Sequence, residues 1–378
     1  MRIMHLSDLH LGKRLNEFSL LEDQRFICRQ ILAIAEAQHV DAVIIAGDIF
    51  DKSVPSAGAV RLFDDFLNAW HAKHLPVLLI SGNHDSAERI AFASELLTPS
   101  EVYISPVYDG QLRRVVLHDA FGVVNFYLLP FLKPSLVRPF FPDAEIDSYN
   151  DAVKVAVKNL PLEPQQRNII VAHQFVTGAN TCQSEEIFVG GLDNIDASLF
   201  DGFDYAALGH IHTPQHIGRE QVRYCGTPLK YSFSEARNDK SVTIIDLRQK
   251  GNLTIETHKL TPQHDLRIIK GTYNELVSAG SYTEQNRHDY ISAVLTDEQE
   301  VPQAIARLRT VYPNIMQVSY DNMRTRQSQQ IEAADIKNLH TPLELFEEFY
   351  KLQNNQPLSE PQRELLTHLI SDVWEEDK

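Results

Sequence analysis

Carboxylates, imidazoles and one amide recur in short clusters along this chain: Asp8 and His10 in "SDLH", Asp48 and Asp51 in "AGDIFD", Asn83, His84 and Asp85 in "GNHD", His173 in "AHQ", and His210 and His212 in "GHIH". Each cluster closes an apolar run, so each falls at the carboxyl end of an expected strand. In an open α/β sheet, ligand sites form in the crevice outside those ends, where residues distant in sequence converge. Asp-x-His and His-x-His also fit locally, because residues two apart in extended chain point to the same side. Carboxylate, imidazole and amide oxygen without thiolate suit Mn(II), Fe or Zn, with manganese favoured; an all-oxygen set would point to Mg or Ca. Seven plausible ligands over-supply one ion, whereas two ions sharing a carboxylate use them all. Asp48 is the natural bridge. Two metals about 3.5–4 Å apart can activate a bridging water and stabilise both the attacking and the leaving oxygen of an in-line displacement at phosphorus.

The elements that must position these residues alternate in type. "RIMHLS", "DAVIIAGD" and "PVLLISG" look like strands buried on both faces. Between them, Glu17 to His39 and Ser56 to His74 carry apolar residues at helical spacing, which predicts parallel βαβ units with right-handed crossovers. From Val102 to Phe131 the period shifts towards two and suggests antiparallel hairpins. A helix near Asp151 to Leu160 precedes two buried strands, "RNIIVAHQ" and "DYAALGH"; "QVRYCGT", "SVTIIDL" and "LTIETHKL" then close the domain as antiparallel strands. The expected fold is an α/β sandwich of two sheets flanked by helices over residues 1–262, followed by a small α/β domain over 263–322. Residues 323–340 read as a polar linker, and 341–378 as a helical hairpin. The two arms of that hairpin begin at the capping boxes "TPLE" (Thr341–Glu344) and "SEPQ" (Ser359–Gln362).

Composition limits the function classes. The 378 residues are 43% hydrophobic and 23% charged, as in ordinary soluble globular proteins. No apolar run approaches the ~20 residues of a membrane helix, and "MRIMHLSDLHLG" places acids and histidines where a signal peptide would be apolar; this reads as cytoplasmic with no membrane association. Cys28, Cys182 and Cys225 are few and scattered, which argues against a disulfide framework and a thiolate metal site. A net charge of -16 argues against coating nucleic acid by bulk electrostatics, although a local basic groove or bound metal could still serve. No G-x-x-x-x-G-K-[ST] loop is present, so any ATP hydrolysis would belong to a partner.

In order and spacing, "DLH", "GDIFD", "GNHD", "AH" and "GHIH" are similar to the calcineurin-like metallophosphoesterases, and "YCGTPLKYSFSE" (Tyr224 to Glu235) resembles the SbcD family, nuclease subunits of bacterial SbcCD complexes. The resemblance implies one metal held by Asp8, His10, Asp48 and His212 and another by Asp48, Asn83, His173 and His210, two Mn2+ per chain, with Mg2+, Fe or Zn as substitutes. It makes His84 the catalytic histidine and Asp85 the residue that orients its ring. Archaeal and eukaryotic relatives carry histidine where this chain has Asp51, so a second active-site imidazole is missing. The same resemblance implies a DNA nuclease, a single-strand endonuclease and double-strand exonuclease that processes hairpin and blocked ends in DNA repair and recombination. The small domain would cap the site, the terminal hairpin would bind an SbcC-type coiled-coil ATPase, and the nuclease domain would form a homodimer. Two other readings stand beside it: a phosphodiesterase for small substrates, against which the extra domain and hairpin speak, and a catalytically inactive scaffold, which should lack some of these ligands.

Overall fold

The structure, a computed structural model, describes residues 1–185, 194–284, 286–322 and 357–376, together with Leu343, Phe346, Glu347 and Tyr350. Along the chain run β1 (Arg2–Leu6), α1 (Leu21–Ala37), β2 (Ala42–Ala46), α2 (Ala57–Ala72), β3 (Val77–Ile80) and β4 (Val102–Ile104). After these come β5 (Arg113–Asp119), β6 (Gly122–Leu129), α3 (Tyr149–Lys158), β7 (Arg167–His173), β8 (Tyr205–Gly209), β9 (Gln215–Ile217) and β10 (Arg219–Tyr224). The remainder comprises β11 (Lys240–Leu247), β12 (Leu253–Leu260), β13 (Leu266–Gly271), β14 (Tyr290–Leu295), β15 (Ile315–Tyr320) and α4 (Glu360–Glu376).

Two six-stranded sheets form the scaffold, in the orders β12-β11-β1-β2-β3-β4 and β9-β10-β8-β7-β6-β5. The period-two side-chain alternation explains why the strands are apolar throughout. Ile3, Ala42, Ile44, Ala46, Leu78 and Ile80 of the first sheet meet Val124, Phe126, Leu128, Ile169, Val171 and Ala207 of the second in one buried cluster. Their neighbours Met4, Leu6, Val43, Ile45, Val77 and Leu79 pack outward on Ile27 and Ile31 of α1 and on Phe66 and Trp70 of α2. On the far side, Ile170, Ala172, Ala206 and Leu208 meet Ala152, Val153 and Ala156 of α3. Each helix offers one apolar stripe, as a two-layer burial requires. Ser56 caps α2 by accepting from the Ala59 N–H at 3.2 Å, and Ser148 with Asp151 forms a reciprocal capping box at α3.

β1, β2, β3 and β4 are mutually parallel, as are β6, β7 and β8. Two pairings differ from expectation. β4 joins the first sheet parallel to β3 instead of entering a hairpin. β10, expected to be antiparallel, runs parallel to β8, because the tight β9–β10 hairpin reverses the chain a second time after "GHIH".

The chain divides into two compact units, Met1–Ile268 with Tyr282–Ser292 and Tyr312–Met316, and Ile269–Ser281 with Ala293–Val311 and Gln317–Lys378. β13, β14 and β15 form a three-stranded sheet, accompanied by the helical turns Tyr273–Val277 and Ala304–Leu308. Gln362 Oε1 accepts from the Ser359 N–H (2.9 Å) and hydroxyl (2.8 Å) at the start of α4. Leu365 and Leu369 on this helix are exposed. The expected linker 323–340 and most of the first hairpin arm lie outside the described residues. Among the described residues no helix is long and apolar enough to cross a membrane.

Candidate metal centre

The expected site residues follow the carboxyl ends of β1, β2, β3 and β8, and His173 is the last residue of β7. Because the strands within each set are parallel, their ends share one rim, and the structure brings the polar clusters together there. Nε2 of His10 lies 3.2 Å from Nε2 of His212 and 3.6 Å from Asp48 Oδ2. The same Asp48 oxygen is 3.3 Å from His173 Nε2, which in turn sits 3.0 Å from Asn83 Oδ1 and 4.0 Å from Asp8 Oδ1. Asn83 Oδ1 is also 3.0 Å from Nδ1 of His210. Asp48 therefore stands between two groups of donors, His10 with His212 on one side and His173, Asn83 and His210 on the other. Asp8, His10, Asp48, His173, His210 and His212 are all buried.

Backbone geometry holds the donors in place. Asp8, His10 and Asp48 adopt φ of 51°, 43° and 48°, and His210 has φ of 101°. Left-handed conformations at non-glycine residues cost roughly 1–3 kcal/mol each and persist only where surroundings enforce them. The enforcement is visible. The Asp8 N–H donates to the Gly47 carbonyl at 3.0 Å, the His10 N–H to the Asp48 carbonyl at 2.9 Å, and the His210 N–H to Asp8 Oδ1 at 3.0 Å. Close approach requires glycine at the strand ends: a Cβ on Gly82 would strike Asp48, and one on Gly209 would strike the Ala46 carbonyl and come within 2.7 Å of His173 Nδ1.

The electrostatics fit a cation. His173 Nδ1 is 2.8 Å from the Ala46 carbonyl, which can only accept, so Nδ1 carries a hydrogen and Nε2 faces the oxygens of Asn83, Asp48 and Asp8, where it holds either its own proton or, as a bare lone pair, a cation. Acceptor facing acceptors is unfavourable unless positive charge lies among them. Burial pulls the His173 pKa down, yet the Asp48 carboxylate more than offsets it and lifts it to about 9. Burial likewise opposes ionisation of Asp48, but His173 holds this carboxyl well below the usual range. Burial raises Asp8 to about 7, with the Asp48 charge adding to it. His10 and His210 are pushed down to about 3 by burial, and His212 well below its ordinary value, so these imidazoles are neutral lone-pair donors. Among the described residues, the buried His10 Nδ1 and His210 Nε2 have no hydrogen-bond partner. Donor sets within ligand reach of one another include Asp8, His10 and His212; Asp8, Asp48 and His173; and His10, Asp48 and His84.

One expected role is corrected. The Asp85 carboxylate is occupied by main-chain N–H groups, accepting from Ile49 (3.0 Å), Phe50 (2.9 Å) and Gly82 (3.0 Å), so it fixes the loop carrying Asn83 and His84 and does not orient the His84 ring. The His84 ring is held instead by the Asp51 carbonyl, 3.2 Å from its Nδ1. The Asp51 carboxylate pairs with Lys13 at 2.7 Å and lies 3.8 Å from His10 Nδ1. Gln24 was not foreseen: buried on α1, it donates to the His10 carbonyl at 2.7 Å and accepts from the Gly12 N–H at 2.9 Å, pinning the first loop. A polar residue inside the apolar stripe of Ile27, Cys28 and Ile31 was its signal. Ser184, Glu235 and Lys240, behind His212, were also missed as parts of the site.

Comparison with known proteins agrees with this geometry. Residues 1–214 match the calcineurin-like phosphoesterase profile, and residues 262–354 match one described as the Type 5 capsule protein repressor C-terminal domain. The chain is 30% identical to the SbcD component of the SbcCD nuclease from Staphylococcus epidermidis, covering 100% of both chains. With the corresponding SbcD protein from Staphylococcus saprophyticus it shares 28% identity, over 100% of this chain and 99% of the other. A crystal structure of a dimetal phosphatase from Danio rerio aligns with 68% of this chain and 96% of its own at 11% identity and a TM-score of 0.41, too slight a likeness to carry an argument. The chain belongs to the calcineurin-like phosphoesterases and, among them, to the SbcD family. With that domain comes divalent-metal binding.

Proposed function

We propose that this chain is a two-metal DNA nuclease, the nuclease half of a complex with an SbcC-type coiled-coil ATPase. It acts as a single-strand endonuclease and double-strand exonuclease, on hairpin and blocked ends among others, in DNA repair and recombination in the cytoplasm. The observation that carries this reading is Asp48 Oδ2, 3.6 Å from His10 and 3.3 Å from His173, a carboxylate shared by two donor groups. Asp8, His10, Asp48 and His212 would hold one Mn2+, and Asp48, Asn83, His173 and His210 the other. When bound, such a pair supplies Lewis acidity at a phosphoryl oxygen and a water nucleophilic at neutral pH. His84 donates the proton to the leaving oxygen: the Asp51 carbonyl takes its Nδ1–H and leaves Nε2 for transfer. Asp85 keeps the His84 loop in register through its three main-chain bonds.

DNA as the substrate is supported by the nuclease relatives, matched over the full length of the chain. With a net charge of -16, the attraction for phosphate must come from the bound ions and the partner. Exposed Leu365 and Leu369 on α4 support the partner surface, and Phe92 and Leu96, 80% and 81% exposed just beyond the His84 loop, support a homodimer contact. The free thiols Cys28, Cys182 and Cys225 are in keeping with a reducing compartment. Purified chain with Mn2+ should degrade linear duplex DNA. Cleavage of a small aryl phosphodiester with none of DNA would leave only a small-substrate phosphodiesterase.

A further inference from the structure

Behind His212 lies a chain of polar groups, half-buried at Ser184 and buried at Glu235 and Lys240, that none of the metal donors explains. Ser184 Oγ is 2.7 Å from His212 Nδ1 and donates to Glu235 Oε1 at 2.6 Å. Glu235 is 0% exposed, and its second oxygen takes the ammonium of Lys240, itself buried. Lys240 also donates to the His212 carbonyl at 2.9 Å and to Thr227 Oγ1 at 2.7 Å, and the Tyr231 N–H donates to Glu235 Oε1 at 3.2 Å. A buried ion pair is expensive to desolvate, so one that is fully bonded and whose shortest hydroxyl contact from Glu235 is to the serine beside His212 points to a purpose beyond stability. The hydrogens follow from the inventory of donors. The Glu235 carboxylate, holding Lys240, can only accept, so the one Ser184 hydrogen goes to it. Ser184 Oγ then offers His212 a lone pair, and His212 Nδ1 must carry the hydrogen. That leaves Nε2, the atom 3.2 Å from His10 Nε2, as the bare donor.

We propose that Ser184 and Glu235, anchored by Lys240, are positioning residues that fix the tautomer and ring orientation of His212 for the metal shared with His10. The proposal rests on the reading of His212 as a metal ligand. Partners of this kind commonly change metal affinity 10–100-fold, about the range expected here. They act on one ion only, because His173 has its own hydrogen acceptor, the Ala46 carbonyl.

The test is Mn2+ titration by calorimetry of wild type, Ser184→Ala and Ser184→Thr, with melting in EDTA as the folding control. Wild type should bind two ions. Ser184→Ala should weaken one of them about 10–100-fold and leave the other unchanged, while Ser184→Thr, which keeps the hydroxyl, should restore both. Should the alanine variant fail to fold, Ser184→Cys, of similar size but a weak acceptor, is expected to show the same selective loss. Wild-type affinity for both ions in the variant that lacks the hydroxyl, or equal weakening of both, would overturn the proposal. Failure of wild type to bind two ions would instead overturn the metal reading beneath it.

Discussion

The proton-donor role proposed for His84 can be tested apart from metal binding. Its Nδ1 faces the Asp51 carbonyl, but its ring also lies 4.8 Å from that of His10 and within ligand reach of Asp48. If it acts as the proposed proton donor, His84→Gln should lower kcat by about 10²–10⁴ while calorimetry still counts two Mn2+. Loss of an ion in that variant would make His84 a ligand. The raised pKa values give a second prediction. His173, lifted from 6.5 to about 9 in the folded chain, contributes stability that is fully present below 6.5 and lost as pH rises towards 9. Asp8, raised from 3.8 to about 7, acts in the same direction over a lower window, its contribution present below 3.8 and lost by about 7. Metal-free protein should therefore melt at lower temperature at pH 9 than at pH 6.5. Mn2+ should reverse the loss, since binding an ion displaces the same protons. Equal melting of metal-free chain at both values would contradict the proton–cation exchange.

At the scale of elements, the strand ends act as a frame in which small errors are costly. Gly209→Ala would force a methyl group against the Ala46 carbonyl and the His173 ring, where β8 passes β2. Overpacking of this kind costs about 1–3 kcal/mol, and it would displace His173 and His210 together. A lower urea midpoint and loss of the ion proposed for those two histidines are the expected results. At the opposite edge, Arg167 of β7 is buried and pairs with Asp119 of β5, which also takes the N-terminal ammonium at 2.6 Å. Asp119→Ala leaves that guanidinium without its counter-charge and should cost about 3–5 kcal/mol in unfolding, with Mn2+ stoichiometry unchanged. The strands were legible because both faces of each are buried, so that "AVIIA" and "VLLI" could hardly be anything else. The clusters were legible because each closes such a run. The left-handed backbone at Asp8, His10 and Asp48 was not, since only the cross-loop hydrogen bonds enforce it. Nor was the loop role of Asp85, whose partners are main-chain atoms without sequence signature, or the parallel placement of β10, which depends on a hairpin turn. Ser184 and Glu235 lie 51 residues apart and meet only through the fold.

For the molecule as a whole, the proposal assigns catalysis to the metal centre and partner binding to α4. Leu365 and Leu369 are 62% and 52% exposed on α4, so replacing both by glutamate should leave folding, metal content and cleavage of a small phosphodiester at wild-type levels. Co-purification with a coiled-coil ATPase partner, and any stimulation by ATP, should be lost; retained co-purification would place the contact elsewhere. Metal binding by the centre remains the claim beneath every other. Crystals grown with Mn2+, measured at the manganese absorption edge, test it directly. Two anomalous peaks should appear, one among Asp8, His10, Asp48 and His212 and one among Asp48, Asn83, His173 and His210, with Asp48 touching both. A single peak, or two peaks that do not share Asp48, would contradict it.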